Sequence, residues 1–312
     1  MLDVRSSTCE WRPPLRPRPR RLWGLDVTLC IGALAQVPVP LAPCVVLGFD
    51  YQVSNDSWGS ESEYKLHVLS DHLIALFAGS PGRAKELATI YQHDLGVTPI
   101  TLRSAAKRLR APFKALKREL AEHYVECRFG VSYRTFRKEG PRLCGSALEF
   151  ARYLGNIAKH DMRVDLIIAG FIEGQAVLYQ SKTDELHQPQ LESITSFCAI
   201  GSGADLAEPA LHARAHRPIT QLPEALYHVY EAKRIGEQSP HVGLKTRLIY
   251  LENTDEGIVP SRINEQGERW LKKLYRRYGP KPIGKRLFSP PQEAFDRGMV
   301  LRSPMSSSKD QT

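Results

Sequence analysis

Strand-forming and helix-forming stretches come in blocks along this chain, and no other feature narrows the possible folds as much. Residues 27–34 and 44–49, "VTLCIGAL" and "CVVLGF", are short apolar runs rich in β-formers. The connection between them, "AQVPVPLAP", carries three prolines, which predicts a hairpin loop and not a strand interior. The stretch "YKLHVLSDHLIALFAG" (64–79) predicts two more strands around the turn "SDH". Ser80 and Pro81 then supply the cap and first turn of a helix over 81–95. A basic, amphipathic helical stretch interleaved with aromatics runs from about 103 to 142, and another helix follows at 145–159.

Strands return at "VDLIIAGF" and "QAVLYQS", with Gly170 and Gly174 marking the turn between them and not a phosphate cradle. "TSFCAIGSG" (195–203) reads as a strand ending in a glycine turn before a helix. "PEALYHVYEAKRIGE" (223–237) is a helix, and "LKTRLIYLEN" (244–253) the last strand. A charged helix at 262–278 and a Pro/Ser-rich tail complete the sequence. A doubly wound parallel sheet requires strands and helices to alternate, so this order predicts an α+β layered fold.

With 42% apolar residues in 312, the chain can bury a full-sized core, and wholesale disorder is excluded. The net charge of +9 opens the way to an acidic partner, but it is concentrated. The leader 1–27 holds six arginines against Asp3, Glu10 and Asp26, and segment 103–142 holds twelve basic residues against four glutamates. The remainder is close to neutral. Such a chain lacks a whole-surface nucleic-acid footprint, so 103–142 reads as a solvated face or a subunit contact. A weaker reading makes that segment and the tail a nucleic-acid-associated module.

The six cysteines show no CxxC and no paired spacing, and Cys30, Cys44 and Cys198 lie in apolar runs, which fits a reduced, cytoplasmic compartment. His212 and His216 are spaced i, i+4 without an HExxH glutamate, so they read as a solvated helix face; no metal or cofactor is expected. No run approaches the roughly 20 apolar residues of a membrane span, so a soluble protein is expected. On the tail helix, Trp270, Leu274 and Tyr278 could dock on a neighbouring subunit, or the helix could be a loosely held appendage.

"RPPLRPRPRR" (12–21) cannot form a helix or a central strand, because its prolines remove donors and its charges repel. The following "LWGLDVTLCIGALAQ" has the outline of a signal peptide, but Asp26 interrupts its apolar centre. The alternative treats 1–27 as removed, or as never made if translation starts at a valine codon at Val27. Loss of that initiator would leave Thr28 at the N-terminus.

"TLCIGALA" and "CVVLGFD", followed by "YKLHVLSDHLIALFAG" and later "FCAIGSG", resemble the proteasome β-subunit type of N-terminal nucleophile hydrolase, in particular its bacterial proteasome-like branch. The likeness spans about residues 28–254, leaving 1–27 as a leader and 255–312 as a charged helix and tail. It implies a four-layer αββα sandwich of two antiparallel sheets flanked by helices. It also implies a homo-oligomer, plausibly a ring, acting on peptide or protein substrates. Thr28 matches the nucleophile, Asp50 the aspartate ending the second strand, and Lys65 the lysine beside the nucleophile. Gly79 matches the glycine whose N–H serves the oxyanion hole, and Ser202 the serine of the "GSG" turn. The first hairpin is about six residues longer than is usual in the family. Where the family usually has an aspartate and, three residues on, a serine, this chain has Ser239 and Val242.

A threonine hydroxyl needs a base, and in this enzyme type the free α-amine of the same residue provides it, at an unperturbed pKa of roughly 7.7–8.0. A neighbouring lysine ammonium disfavours further positive charge on that amine, and an aspartate compensates the lysine. The expectation is therefore a threonine-type amide hydrolase, conditional on Thr28 being the free N-terminus. A catalytically silent subunit of the same fold is the alternative that Ser239 and Val242 favour.

Overall fold

The computed structural model describes residues 28–38, 41–50, 52–55, 58–61, 65–97, 99–158, 164–183, 189–239, 242–279 and 294–297. The leader 1–27 and the tail beyond 297 lie outside the described residues. The chain opens with strands β1 (Leu29–Pro38), β2 (Leu41–Asp50), β3 (Gln52–Asn55), β4 (Trp58–Glu61), β5 (Leu66–Ser70) and β6 (Leu73–Gly79). Helices α1 (Pro81–Val97), α2 (Leu102–Phe129), α3 (Tyr133–Leu143) and α4 (Ala147–Ala158) follow. Then come β7 (Val164–Ile172), β8 (Gln175–Thr183), β9 (Pro189–Ser193), β10 (Phe197–Gly201), α5 (Ala204–Ala213) and α6 (Leu222–Gly236). The last elements are β11 (Thr246–Thr254), β12 (Gly257–Ile263), α7 (Glu265–Tyr278) and β13 (Phe295–Arg297).

The fold is mixed α+β, with two principal antiparallel sheets. One has the order β10-β1-β2-β11-β12-β13, the other β5-β6-β7-β8-β9, and β3 and β4 form a separate pair. The side-chain period of two assigns each face. Along β1, Leu29, Ile31, Ala33 and Ala35 pack with α5 and α6, whereas Cys30 and Leu34 point into a core shared with the second sheet. In β2, Cys44 and Val46 join the helix side, and Val45, Leu47 and Phe49 the shared core. The second sheet repeats the scheme. Ile74, Leu76 and Ala78 of β6 enter the shared core, and Leu73, Ala75 and Phe77 pack with α1 and α2. The two sheets therefore share one apolar layer, and each carries helices on its other face.

Gly32 shows how tightly the sheets meet: a Cβ there would lie 2.7 Å from Leu178 Cδ1. The turn between β7 and β8 falls at Glu173 and Gly174, both with positive φ (51° and 77°), as a tight hairpin of right-handed strands requires. Leu109, Phe113 and Leu116 of α2 sit in the helix-side core of the second sheet, so this basic helix is partly structural. Farther along, Val125 joins Phe136 of α3 and Ile157 of α4 in a separate small core edged by Phe129, Phe150 and Tyr153.

Three local expectations change. The described part of the proline-rich connection is strand, not loop: Pro38 pairs with Leu41, and Pro43 with Gln36. The neighbouring strands β10 and β11 pair no farther than Ala33 and Val45, so Pro38 and Pro43 interrupt neither of those ladders, and Gln36 makes a single parallel bridge to Gln221. β11 is not the last strand, because β12 and β13 follow it. Arg262 and Ile263 consequently belong to β12, and α7 starts only at Glu265, behind the cap Asn264. The apolar side of α7 packs within its own chain: Leu271 and Leu274 are buried with α6, and Trp270 and Tyr278 lie against the same core.

Candidate active site

Three residues separated in sequence meet where strands begin and end. Thr28 immediately precedes β1, Asp50 closes β2, and Lys65 immediately precedes β5. β1 and β2 pair from Cys30↔Phe49 onward, which returns the chain to Thr28 at Asp50. The strand β6 draws in the start of β5, with the Phe77 N–H bonded to the Lys65 carbonyl at 2.9 Å. Thr28 Oγ1 donates to Asp50 Oδ1 at 2.8 Å, and Lys65 Nζ donates to both Thr28 Oγ1 and Asp50 Oδ1. The group is buried, with Thr28 2%, Asp50 0% and Lys65 6% exposed. Burial lowers the Lys65 ammonium to about 8, with Lys233 pushing the same way and Cys30 opposing. The Cys30 thiol is pushed up to about 11, chiefly by burial, and it donates to the Phe77 carbonyl at 3.5 Å.

The "GSG" turn lies against the other side of Thr28. Gly201 has a φ of +92°, and a Cβ on it would lie 2.2 Å from the Thr28 carbonyl oxygen, so both the backbone angle and the space demand glycine. Ser202 Oγ donates to that carbonyl oxygen at 3.4 Å. Ser239 Oγ donates in turn to the Ser202 carbonyl at 3.1 Å, so one of the two departing positions keeps a polar link toward Thr28. The other, Val242, is buried in the apolar core with α6. Gly79 ends β6 with a φ of +105°, directly before Ser80 and α1, and takes no part in these contacts.

The sequence did not mark three participants. The Gly243 N–H donates to Asp50 Oδ2 at 2.8 Å, leaving Oδ1 to Thr28 and Lys65. The Gly243 carbonyl accepts from Lys233, which is fully buried and also donates to Glu237 at 2.6 Å. A signal was present in α6: "EALYHVYEAK" has apolar residues on every side, so the helix had to be buried and its ions paired.

Of the two histidines, His212 is exposed on α5 as expected, but His216 is buried and lies outside the helix. α5 ends at Ala213, and Ala215 takes a φ of +50°, which turns His216 inward. There His216 Nε2 lies 2.9 Å from the Leu34 carbonyl, and its Nδ1 lies 3.2 Å from His228 Nδ1. The carbonyl can only accept, so His216 is protonated on Nε2, and His228 donates from Nδ1. Among the described residues, no group of histidine, cysteine, aspartate or glutamate side chains is arranged to hold a metal ion. Nor, among them, is any helix long and apolar enough to cross a membrane. In comparisons with known proteins, the chain matches no family model and no curated sequence.

Proposed function

We propose that the protein is a threonine-type amide hydrolase of the N-terminal nucleophile kind, with Thr28 as nucleophile once residues 1–27 are absent. The observation that carries this reading is the buried contact of Thr28 Oγ1 with Asp50 and Lys65. An ordinary strand threonine has no need of a lysine and an aspartate beside it, and ionised groups are costly to bury without a purpose for their position. The two facing sheets with helices outside support the four-layer αββα arrangement that the resemblance implies.

In this scheme the α-amine of Thr28 takes the hydroxyl proton as Oγ1 attacks a peptide carbonyl carbon. The Lys65 ammonium keeps that amine toward its neutral form, and Asp50 fixes the lysine. The tetrahedral oxyanion is held by the Gly79 N–H. Collapse expels the amine of the substrate, which leaves with the proton carried by the α-amine, and an ester remains on Oγ1. A water molecule then hydrolyses the ester, returning the proton to Oγ1 and releasing the acid. Ser202 and Ser239 support the turn beneath Thr28. Peptides or proteins are the proposed substrates, and a cytoplasmic homo-oligomer, plausibly a ring with enclosed sites, the proposed assembly.

Val242 supports a second reading. A buried valine where the family's pattern has a serine removes a hydroxyl from the support of the site, as a catalytically silent subunit would tolerate. One experiment separates the two: N-terminal sequencing of protein made from its own gene, followed by labelling with a threonine-directed electrophile. The hydrolase reading expects Thr28 as the first residue, with labelling lost in Thr28→Ala. Active protein still starting upstream of Thr28 would exclude the mechanism.

A further inference from the structure

Resting on the hydrolase reading, we propose that Lys233 is a positioning residue of the site, acting through the Gly243 backbone to fix the Asp50 carboxylate. Lys233 lies on α6, whose residues from Ala225 to Lys233 are all buried, and it is itself 0% exposed. Its ammonium is committed to two acceptors, Glu237 Oε1 at 2.6 Å and the Gly243 carbonyl. Glu237 is held in place as well, by Arg234 and by the Thr246 hydroxyl at 3.5 Å. Gly243 is thus gripped on both sides, by Lys233 at its carbonyl and by Asp50 at its N–H. The consequence falls on Asp50: with Oδ2 taken by Gly243, Oδ1 is the oxygen presented to Thr28 and Lys65.

A fully buried ion pair seldom adds net stability over an apolar pair of similar size, so a role in geometry explains this one better than a role in folding. The position also matters electrostatically. The groups acting on Lys65 are Asp50 and Thr28 by hydrogen bond, with Cys30 and the Lys233 cation at longer range. Lys233 therefore influences the nucleophile's lysine both through the Gly243 backbone and through its charge.

The test uses the full chain made from its own gene, with Lys233→Met and the double variant Lys233→Met/Glu237→Leu. The double variant replaces both members of the Lys233–Glu237 pair together. Circular dichroism establishes that each is folded. The rate of Thr28 labelling is measured against pH, and the Lys65 titration is followed by NMR of Cε-labelled lysine. The expected result is a fall in labelling rate of about 10- to 100-fold, as for a displaced reacting group, with the Lys65 midpoint moving upward from about 8. Rates and midpoints equal to wild type in the folded double variant would overturn the role of Lys233 while leaving the hydrolase reading intact. Absence of labelling in the wild type would instead remove the hydrolase reading, and this role with it.

Discussion

Gly201 lies so close to Thr28 that the two backbones leave no room for a single added methyl group: a Cβ on Gly201 would meet the Thr28 carbonyl oxygen at 2.2 Å. The φ of +92° adds strain for any other residue. Gly201→Ala is therefore expected to lower stability by about 2 kcal/mol or more, the scale of overpacking combined with an unfavourable φ. Urea unfolding followed by tryptophan fluorescence checks this, with an unchanged midpoint counting against the close approach.

Asp50→Asn removes the only carboxylate that bonds to the buried Lys65 among the described residues. An uncompensated buried charge costs about 3–5 kcal/mol. The variant is expected to lose stability on that scale and to lose Thr28 labelling. Lys65→Met/Asp50→Leu should recover much of the stability and none of the labelling. Thermal unfolding of the two proteins side by side measures the difference.

The pair His216 and His228 predicts loss of stability in acid. Burial lowers both, His228 to about 3, with His216 and Arg214 adding to the effect. The unfolded chain binds protons at these sites near pH 6.5, where the folded chain does not. Their contribution is therefore complete above pH 6.5 and is lost progressively as the pH falls toward 3. Denaturant midpoints at intervals from pH 7 to pH 4 should decline. His228→Leu should flatten that decline, and a slope identical to wild type would refute the assignment.

Thiol chemistry offers an independent check on packing. Cys127 is exposed on α2, whereas Cys30 is buried beside the site and its thiol is held protonated. Brief alkylation of the native protein with iodoacetamide should modify Cys127 and spare Cys30, as peptide mass mapping will report. Prompt modification of Cys30 would mean that the shared core is open to solvent.

Thr28, Asp50 and Lys65 were legible through the resemblance, whose landmarks fall at or next to the ends of apolar runs, and not through the strand pattern alone. Ser202 came from the same resemblance, and the strand reading placed it in the glycine turn that ends β10. Gly243 and Lys233 were not, because their roles arise from contacts that local pattern does not encode: Gly243 meets Asp50 across 193 positions of chain. β12 escaped because Pro260, Ser261 and Arg262 break its apolar alternation, although the tight turn before it, at Asp255 and Glu256, carries the usual polar residues. The far ends of β1 and β2 were misjudged because proline was weighed as a breaker, without knowing that Pro38 and Pro43 lie beyond the stretches paired with β10 and β11.

The division of α2 between two cores has a consequence for how the molecule breathes. Its Leu109 and Phe113 are anchored beneath the second sheet, while Val125 belongs with Phe136 and Ile157 in the outlying helical cluster. Amide protons of α3 and α4 should therefore exchange through an opening smaller than the one that frees β6 and β7, with the first turns of α2 tracking the strands. The long helix is where a detachable module is moored to a body that stays shut.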